Sequence, residues 1–188
     1  MNFIRTAIND VVIIEPTVFG DDRGYFVETF RQDKLNEFLG FNINFIQDNE
    51  SKSSYGVLRG LHYQLAPAAQ TKLVRVIKGK VLDVAVDIRK DSPTFGQHVS
   101  VELSEQNKRQ LLVPRGFAHG FVVLEDDTVF AYKVDNYYSP ENDRGIAFDD
   151  PALAIDWIVD KDQLKLSPKD TTQVLLDKAQ VFNAELLY

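Results

Sequence analysis

Cysteine is absent from this chain of 188 residues. A chain without thiols cannot form disulfides, use a thiolate nucleophile or hold zinc through cysteine. Histidine is also scarce, with three copies, and imidazole is then the only side chain whose unperturbed pKa lies near neutrality. We therefore expect any proton-transfer chemistry first at His62 and His119. The alternative for each is an ordinary hydrogen-bonded histidine of the core.

An excess of positive charge is also lacking, because 21 basic residues stand against 28 acidic ones and the net charge is -7. General attraction to nucleic acid or to an anionic membrane is therefore unfavourable, and an anionic ligand would need a local cluster of Arg and Lys. No apolar run approaches the roughly 20 residues that cross a bilayer, and the amino terminus has no basic, then apolar, leader pattern. We expect a cytoplasmic protein with no nucleic-acid or membrane partner.

What the chain does have is enough apolar sequence for a full core, 44% of its residues. No internal repeat, low-complexity tract or linker divides it, so we expect one domain spanning residues 1–188. Short alternating runs separated by turns predict strands. They are expected at 11–14, 25–30, 44–47, 73–78, 81–88, 98–103, 110–113, 119–124 and 128–134. Spacing near ten residues per strand is typical of a sandwich or a barrel.

Three further segments complete the prediction. Apolar residues on one face predict a short helix over 33–39, ended by Gly40. Residues 48–56 are polar and are interpreted as a loop of the kind that carries function, and the segment from Ser167 is predicted to be partly helical. In the strand at 81–88, the alternation puts Asp83 and Asp87 on the face opposite to the apolar side chains.

Two segments resemble the two conserved halves of the cupin jelly roll. They are residues 60–79, which contain His62, and the Pro-x-Gly-x-x-His turn over 114–119. A metal-binding cupin has His-x-His and a Glu in the first half, whereas here His62 is followed by Tyr63 and Gln64. Two histidines without a carboxylate at ligand spacing make a poor zinc or iron site. We therefore expect a metal-free barrel whose histidines are available for acid–base chemistry.

Longer blocks are similar to one family within that fold. GVLRGLHYQ at 56–64, KLVRV at 72–76, DSPTFG at 91–96, PRGFAHGF at 114–121 and DDP at 149–151 resemble the signature blocks of the dTDP-4-dehydrorhamnose 3,5-epimerases, as do FGDDRGYF at 19–26 and LSPKD at 166–170. The resemblance implies an all-β, cupin-like jelly-roll β-barrel with a few short helices. It also implies a nucleotide-linked 4-keto-6-deoxy sugar as substrate, inverted at the carbons on both sides of the ketone during deoxysugar biosynthesis, with no metal or organic cofactor.

The resemblance assigns catalytic roles to four residues. A proton next to a ketone is removable only if the enolate is stabilised, and inversion needs a base on one face and an acid on the other. By resemblance His62 is the base, Asp170 orients its ring, Lys72 stabilises the enolate oxygen and Tyr132 returns a proton. Taken alone, Asp170 could cap a terminal helix, and Lys72 and Tyr132 could be ordinary strand-end residues. The family usually has Gly before the lysine, where this chain has Thr71.

The remaining predicted site residues are substrate contacts carried over from the same resemblance. A pyrophosphate needs cations and a base needs an aromatic plane. Arg23, Arg59 and Lys169 are assigned to the phosphates, Glu28, Gln47 and Asn49 to polar contacts, Tyr138 to stacking on thymine, His119 to the sugar, and Asp143 to a position where the family commonly has Glu. For Arg23 and Lys169, the alternative is plain surface charge.

The resemblance further implies a homodimer. An apolar strand around residues 11–14 would be prone to association if left unpaired, and we expect it to pair with a partner subunit.

Two other functions stay open at this point. One is a sugar 3-epimerase or 5-epimerase that inverts a single carbon, and the other is a non-catalytic cupin that binds a sugar nucleotide.

Overall fold

The computed structural model describes residues 1–183, and two antiparallel sheets form its body. The six-stranded sheet has the order β1 (Asn2–Arg5), β2 (Val12–Glu15), β10 (Gln110–Val113), β7 (Lys72–Lys78), β12 (Thr128–Val134) and β5 (Gln47–Ser53). The five-stranded sheet has the order β13 (Asp143–Gly145), β6 (Leu58–Gln64), β11 (Phe117–Val123), β8 (Lys80–Asp87) and β9 (His98–Ser104). Strands β3 (Val18–Asp21) and β4 (Gly24–Val27) form a separate hairpin. The predicted all-β jelly roll is confirmed.

Helices are short. Helix α1 (Gln32–Leu39) ends at Gly40, whose backbone is left-handed with φ of 80° and whose N–H donates to the Asn36 carbonyl. Leu35 of α1 packs on the outer face of the six-stranded sheet against Val12 and Leu112. The segment from Ser167, predicted to be partly helical, contains only the single 3-10 turns Asp170–Thr172 and Leu176–Lys178, and its last residues, 184–188, lie outside the described residues.

Strand β8 is buried on both of its faces. Its Val81 and Ala85 join the core between the sheets, whereas Leu82 and Val84 pack outward under the carboxyl-terminal segment, where Trp157 lies. A strand that is buried on both faces reads as a near-continuous apolar run. Asp83 and Asp87 are fully buried on the face opposite to Leu82 and Val84, as the alternation predicts.

The polar stretch at 48–56 was predicted to be a loop, and this prediction is wrong for most of it. Gln47–Ser53 is strand β5, paired in register with β12 from Gln47 opposite Val134 to Ser53 opposite Thr128. Polar residues are tolerated here because β5 is an edge strand of the sheet, and pairing with β12 outweighs a weak intrinsic preference. The strand expected at 44–47 is also wrong, because β5 begins at Gln47. The strand expected at 25–30 is shorter than predicted, because β4 ends at Val27.

The strand at 11–14 is not an edge. Strand β2 pairs with β1 on one side and with β10 on the other, so the edge of the six-stranded sheet is β1. The prediction that this strand pairs with a partner subunit is therefore wrong, because residues 2–5 pair with it within the same chain.

In residues 1–183 no helix is both long and apolar enough to cross a membrane.

Candidate active site

A pocket of about 600 Å³ opens between the two sheets, above the apolar core of the barrel. Strands β5, β7 and β12 line one wall, strands β6 and β11 line the other, and Lys165, Leu166, Ser167 and Asp170 border it. The structure brings together seven of the predicted site residues here: Asn49, Arg59, His62, Lys72, His119, Tyr132 and Asp170. All four residues with predicted catalytic roles are among them.

A close approach of two strands sets the positions of the two histidines. Gly60 has φ of 145°, and a Cβ added to it would lie 2.5 Å from the Cα of Gly120 on the neighbouring strand. Any side chain at Gly60 would therefore push β6 and β11 apart. Beyond this contact, His62 and His119 are direct partners in the antiparallel register. Both histidines line the pocket from the same wall.

His62 forms a hydrogen-bonded pair with Asp170. Its Nε2 lies 2.6 Å from Oδ1 of Asp170, which is only 3% exposed. Burial alone would raise the pKa of Asp170, but the hydrogen bonds from His62 and Ser167 outweigh it and hold that pKa below its usual value. An ionised carboxylate accepts a hydrogen bond from the N–H at Nε2, so the basic lone pair of the imidazole is on Nδ1. Asp170 thus does more than cap a terminal turn.

Lys72 enters the pocket from the opposite sheet. Its Nζ lies 3.4 Å from the carbonyl oxygen of His62. Burial lowers the pKa of Lys72 to about 8, although the charges of Asp83 and Asp143 act in the other direction. A lysine with such a pKa is a cation at neutral pH that is held in a poorly solvated place.

The residue before Lys72, Thr71, is tied to the end of β12. The N–H of Thr71 donates to Oδ1 of Asp135 at 2.7 Å, and the Asp135 N–H donates to the Thr71 carbonyl at 3.3 Å. Arg115 also donates to the Asp135 carboxylate, at 3.0 Å from Nη2 to Oδ2. The start of β7, and with it Lys72, is therefore anchored to the strand that carries Tyr132.

Tyr132 lies on β12, in the wall opposite to His62. Burial raises the pKa of its phenol, and the charge of Arg59 opposes that change. The ring packs against Phe130, with centroids 6.2 Å apart. At neutral pH the hydroxyl is therefore protonated and able to donate a proton.

His119 has a carboxylate partner that the sequence reasoning did not name as a site residue. Its Nε2 lies 2.9 Å and 3.0 Å from the two carboxylate oxygens of Asp83, and both side chains are buried. Burial lowers the pKa of His119, with Asp83 acting against it. The sequence signal that could have identified Asp83 was a charged residue within an otherwise apolar strand. Four polar or charged residues that line the pocket were also not predicted as site residues: Glu50, Ser51, Lys165 and Ser167.

Some predicted substrate contacts lie outside the pocket lining but close together. Tyr138 donates to Oδ2 of Asp143 at 3.0 Å, and Lys169 is ion-paired with the same carboxylate. The charges of Asp143 and Lys169 both act on the pKa of Lys72, so this group adjoins the pocket. Gln47 donates to Asn49 at 2.8 Å. At the pocket itself, Arg59 donates to the Ser53 hydroxyl at 3.2 Å.

Arg23 and Glu28 are not brought to the pocket. Arg23 lies at the turn between β3 and β4, where its side chain is 89% exposed and ion-paired with Asp21. Glu28 lies 3.6 Å from Arg31. The same hairpin exposes the rings of Phe19 and Phe26, the latter 69% exposed.

Within residues 1–183, no three His, Cys, Asp or Glu side chains are grouped so that they could hold a metal ion.

A family model of dTDP-4-dehydrorhamnose 3,5-epimerase matches residues 5–178. The chain belongs to the dTDP-4-dehydrorhamnose 3,5-epimerase family. It is 58% identical to the Shigella flexneri enzyme of that name over 159 residues, which are 85% of this chain and 88% of that enzyme. The predicted family and its isomerase class are confirmed.

Solved structures show the same fold around nucleotide sugars. The 3,5-epimerase of Legionella pneumophila, in complex with dTDP-4-keto-L-rhamnose, is 53% identical with a TM-score of 0.91, covering 99% of this epimerase and 96% of that chain. A 3'-monoepimerase of Streptomyces bikiniensis in complex with dTDP-quinovose is 29% identical with a TM-score of 0.89, covering 96% and 93% of the two chains. The fold therefore also supports inversion at a single carbon.

Proposed function

We propose that this epimerase converts dTDP-4-dehydro-6-deoxy-D-glucose to dTDP-4-dehydro-L-rhamnose by inverting C3 and C5, in deoxysugar (L-rhamnose) biosynthesis. The observation that carries the proposal is the arrangement of the pocket. A hydrogen-bonded pair, His62 and Asp170, lies on one wall, and Lys72 and Tyr132 enter from the other. Inversion at carbon needs a base and an acid on opposite faces of the substrate, and these walls supply one each.

In the proposed reaction, Nδ1 of His62 removes the proton from the carbon beside the ketone. Asp170 stabilises the imidazolium that forms, since its carboxylate already accepts a hydrogen bond from the N–H at Nε2. The ammonium of Lys72 stabilises the negative charge that develops on the ketone oxygen. The phenol of Tyr132 then donates a proton to the opposite face of the same carbon, and proton exchange with solvent restores both residues.

The substrate contacts stay a proposal of the same kind. Asn49 and Arg59 line the pocket, and the group of Tyr138, Asp143 and Lys169 adjoins it. In a chain of net charge -7, two cations beside one pocket favour a diphosphate over a neutral ligand. The exposed ring of Tyr138 offers a plane for thymine. The relative from Legionella pneumophila that holds a dTDP-sugar supports this assignment.

Two alternatives carry less support. The single-carbon relative is 29% identical, whereas the 3,5-epimerases of Shigella flexneri, Escherichia coli and Salmonella typhimurium are 54% to 58% identical. A non-catalytic binding module has no need of a buried carboxylate behind a pocket histidine or of a lysine with a lowered pKa.

Solvent exchange tests the proposal. The epimerase is incubated in D2O with dTDP-4-dehydro-6-deoxy-D-glucose, and deuterium is followed by NMR. Incorporation at both C3 and C5, with the L-rhamno product trapped by a coupled reductase, is the expected result. Incorporation at one carbon would assign a 3-epimerase or 5-epimerase, and incorporation at none would support the binding module.

The basic limb of the pH profile is expected to depend on Lys72. Because its pKa is lowered to about 8, the side chain is an ammonium below that pH and loses its charge above it. We expect kcat/KM to fall as the pH rises through about 8. Lys72→Arg retains a cation, so its rate should be lower but its basic limb should move to higher pH.

The measurement is kcat/KM between pH 6 and 10. Lys80→Arg is the matched control, since Lys80 pairs with Glu102 and Glu125 and does not line the pocket. A basic limb unchanged in Lys72→Arg would assign that ionisation to another group.

We also propose that the epimerase is a homodimer in which Arg23 reaches the partner's pocket. Arg23 is assigned to a phosphate by resemblance, yet it is exposed on a hairpin outside its own pocket. The exposed rings of Phe19 and Phe26 beside it are suited to burial against another surface. Cytoplasmic location and the absence of nucleic-acid or membrane partners stay predictions from the sequence.

Arg23→Ala is expected to raise KM by about tenfold, the cost of one charged hydrogen bond, with a smaller change in kcat. Arg109→Ala, which removes an arginine ion-paired with Glu15 outside the pocket lining, is the control. Sedimentation should give a dimer at micromolar concentration. A monomer with normal turnover would refute both the dimer and the role of Arg23.

A further inference from the structure

The hydroxyl of Ser167 holds the oxygen of Asp170 that His62 does not use. Ser167 Oγ donates to Oδ2 of Asp170 at 2.6 Å, while His62 Nε2 meets Oδ1 at the same distance. The same hydroxyl accepts the Asp170 N–H at 3.3 Å. Because an ionised carboxylate can only accept hydrogen bonds, the hydroxyl proton is directed to Oδ2. Both oxygens of a carboxylate that is 3% exposed are therefore held by side chains.

This arrangement differs from an ordinary helix cap. In a capping box, the acidic side chain three residues after the serine returns to the serine N–H. Here the Asp170 carboxylate is turned instead toward the Ser167 hydroxyl and His62. The turn itself is closed by the Ser167 carbonyl, which accepts the N–H groups of Asp170 and Thr171 at 3.0 Å and 3.3 Å. The hydroxyl adds a longer bond from the Asp170 N–H, but the carbonyl bonds of the turn do not depend on it.

We propose that Ser167 is a positioning residue for the proton abstraction, acting through Asp170 on His62. The last torsion of an aspartate is broad and two-fold, so a carboxylate held at one oxygen can rotate. A short charge-assisted bond to the other oxygen, together with the backbone hydrogen bond from Gly60 to the carboxylate, restricts that freedom. The imidazole is then held with Nδ1 directed into the pocket. The inference rests on the proposed function, in which His62 is the base.

Two substitutions in the full chain test the role. Ser167→Ala keeps the carbonyl that closes the turn but removes the hydroxyl, and we expect kcat to fall about tenfold with KM nearly unchanged. The acid limb of kcat/KM should move to higher pH, because one of the bonds that lower the Asp170 pKa is gone. Ser167→Thr restores a hydroxyl at an exposed position, and it should restore both the rate and the pH profile.

Thr171→Ala is the matched control. The Thr171 hydroxyl lies in the same turn and donates to the Pro168 carbonyl without contacting Asp170. In this variant kcat and the acid limb should therefore stay as in the wild type. The inference is wrong if Ser167→Ala keeps the wild-type rate and acid limb, or if the threonine variant is as impaired as the alanine variant. Absence of deuterium exchange in the wild type would instead refute the proposed function, so the two failures are distinguishable.

Discussion

His62→Asn is expected to abolish both deuterium exchange and inversion, lowering turnover by about four orders of magnitude. Asparagine keeps a hydrogen-bond donor for Asp170 but has no nitrogen that can take a proton at neutral pH. Without the base no enolate forms, so neither exchange nor epimerisation can follow. Deuterium uptake by NMR and product formation in the coupled reductase assay are measured on the same preparation.

The third histidine provides the control. His98 lies on β9 outside the pocket, where burial lowers its pKa, and His98→Asn makes the same chemical change there. That variant should exchange and invert at nearly the wild-type rate. Residual exchange in His62→Asn at more than a few per cent of the wild-type rate would mean that another residue removes the proton.

Tyr132→Phe is expected to separate exchange from inversion. The substitution removes the phenolic hydroxyl and retains the ring that packs on Phe130. His62 can still form the enolate and return a proton on its own side, so washout of label should persist. Inversion should fall by about two to four orders of magnitude, the usual contribution of one general acid. KM should change little, because the phenol acts mainly in the transition state.

Tyr63→Phe is the matched control for this loss. The Tyr63 hydroxyl donates to the Gln180 carbonyl at 2.6 Å, away from the pocket, so its removal should cost stability without separating the two activities. Normal inversion by Tyr132→Phe would show that another group protonates the opposite face. Equal loss of exchange and inversion would show that Tyr132 is needed before the enolate forms.

Much of this molecule was predictable because its strands follow local rules. Alternation between apolar and polar residues placed Asp83 and Asp87 on the face of β8 opposite to Leu82 and Val84, and Gly40 marked the end of the only α-helix in residues 1–183. The family resemblance selected four catalytic candidates that are far apart in the chain. His62 and Asp170 are 108 positions apart, yet the fold joins them by a hydrogen bond.

The incorrect predictions concern strands whose formation or place in the sheet depends on pairing with another segment. Residues 48–53 have no apolar alternation, so nothing local predicts that pairing with β12 makes them a strand. The strand at 11–14 was taken for an exposed edge because the sequence does not show that residues 2–5 fold back beside it. Both outcomes are set by contacts between distant segments.

The sequence by itself determined an all-β sandwich or barrel from its periodicity, and the family resemblance added the jelly roll and seven of the residues that line the pocket. The tertiary structure alone decided which groups act on one another. It paired Asp83 with His119 and Ser167 with Asp170, and it left Arg23 on an exposed hairpin. The physical reason is that hydrogen bonding, burial and the resulting pKa shifts depend on distances in space, which residue spacing does not encode.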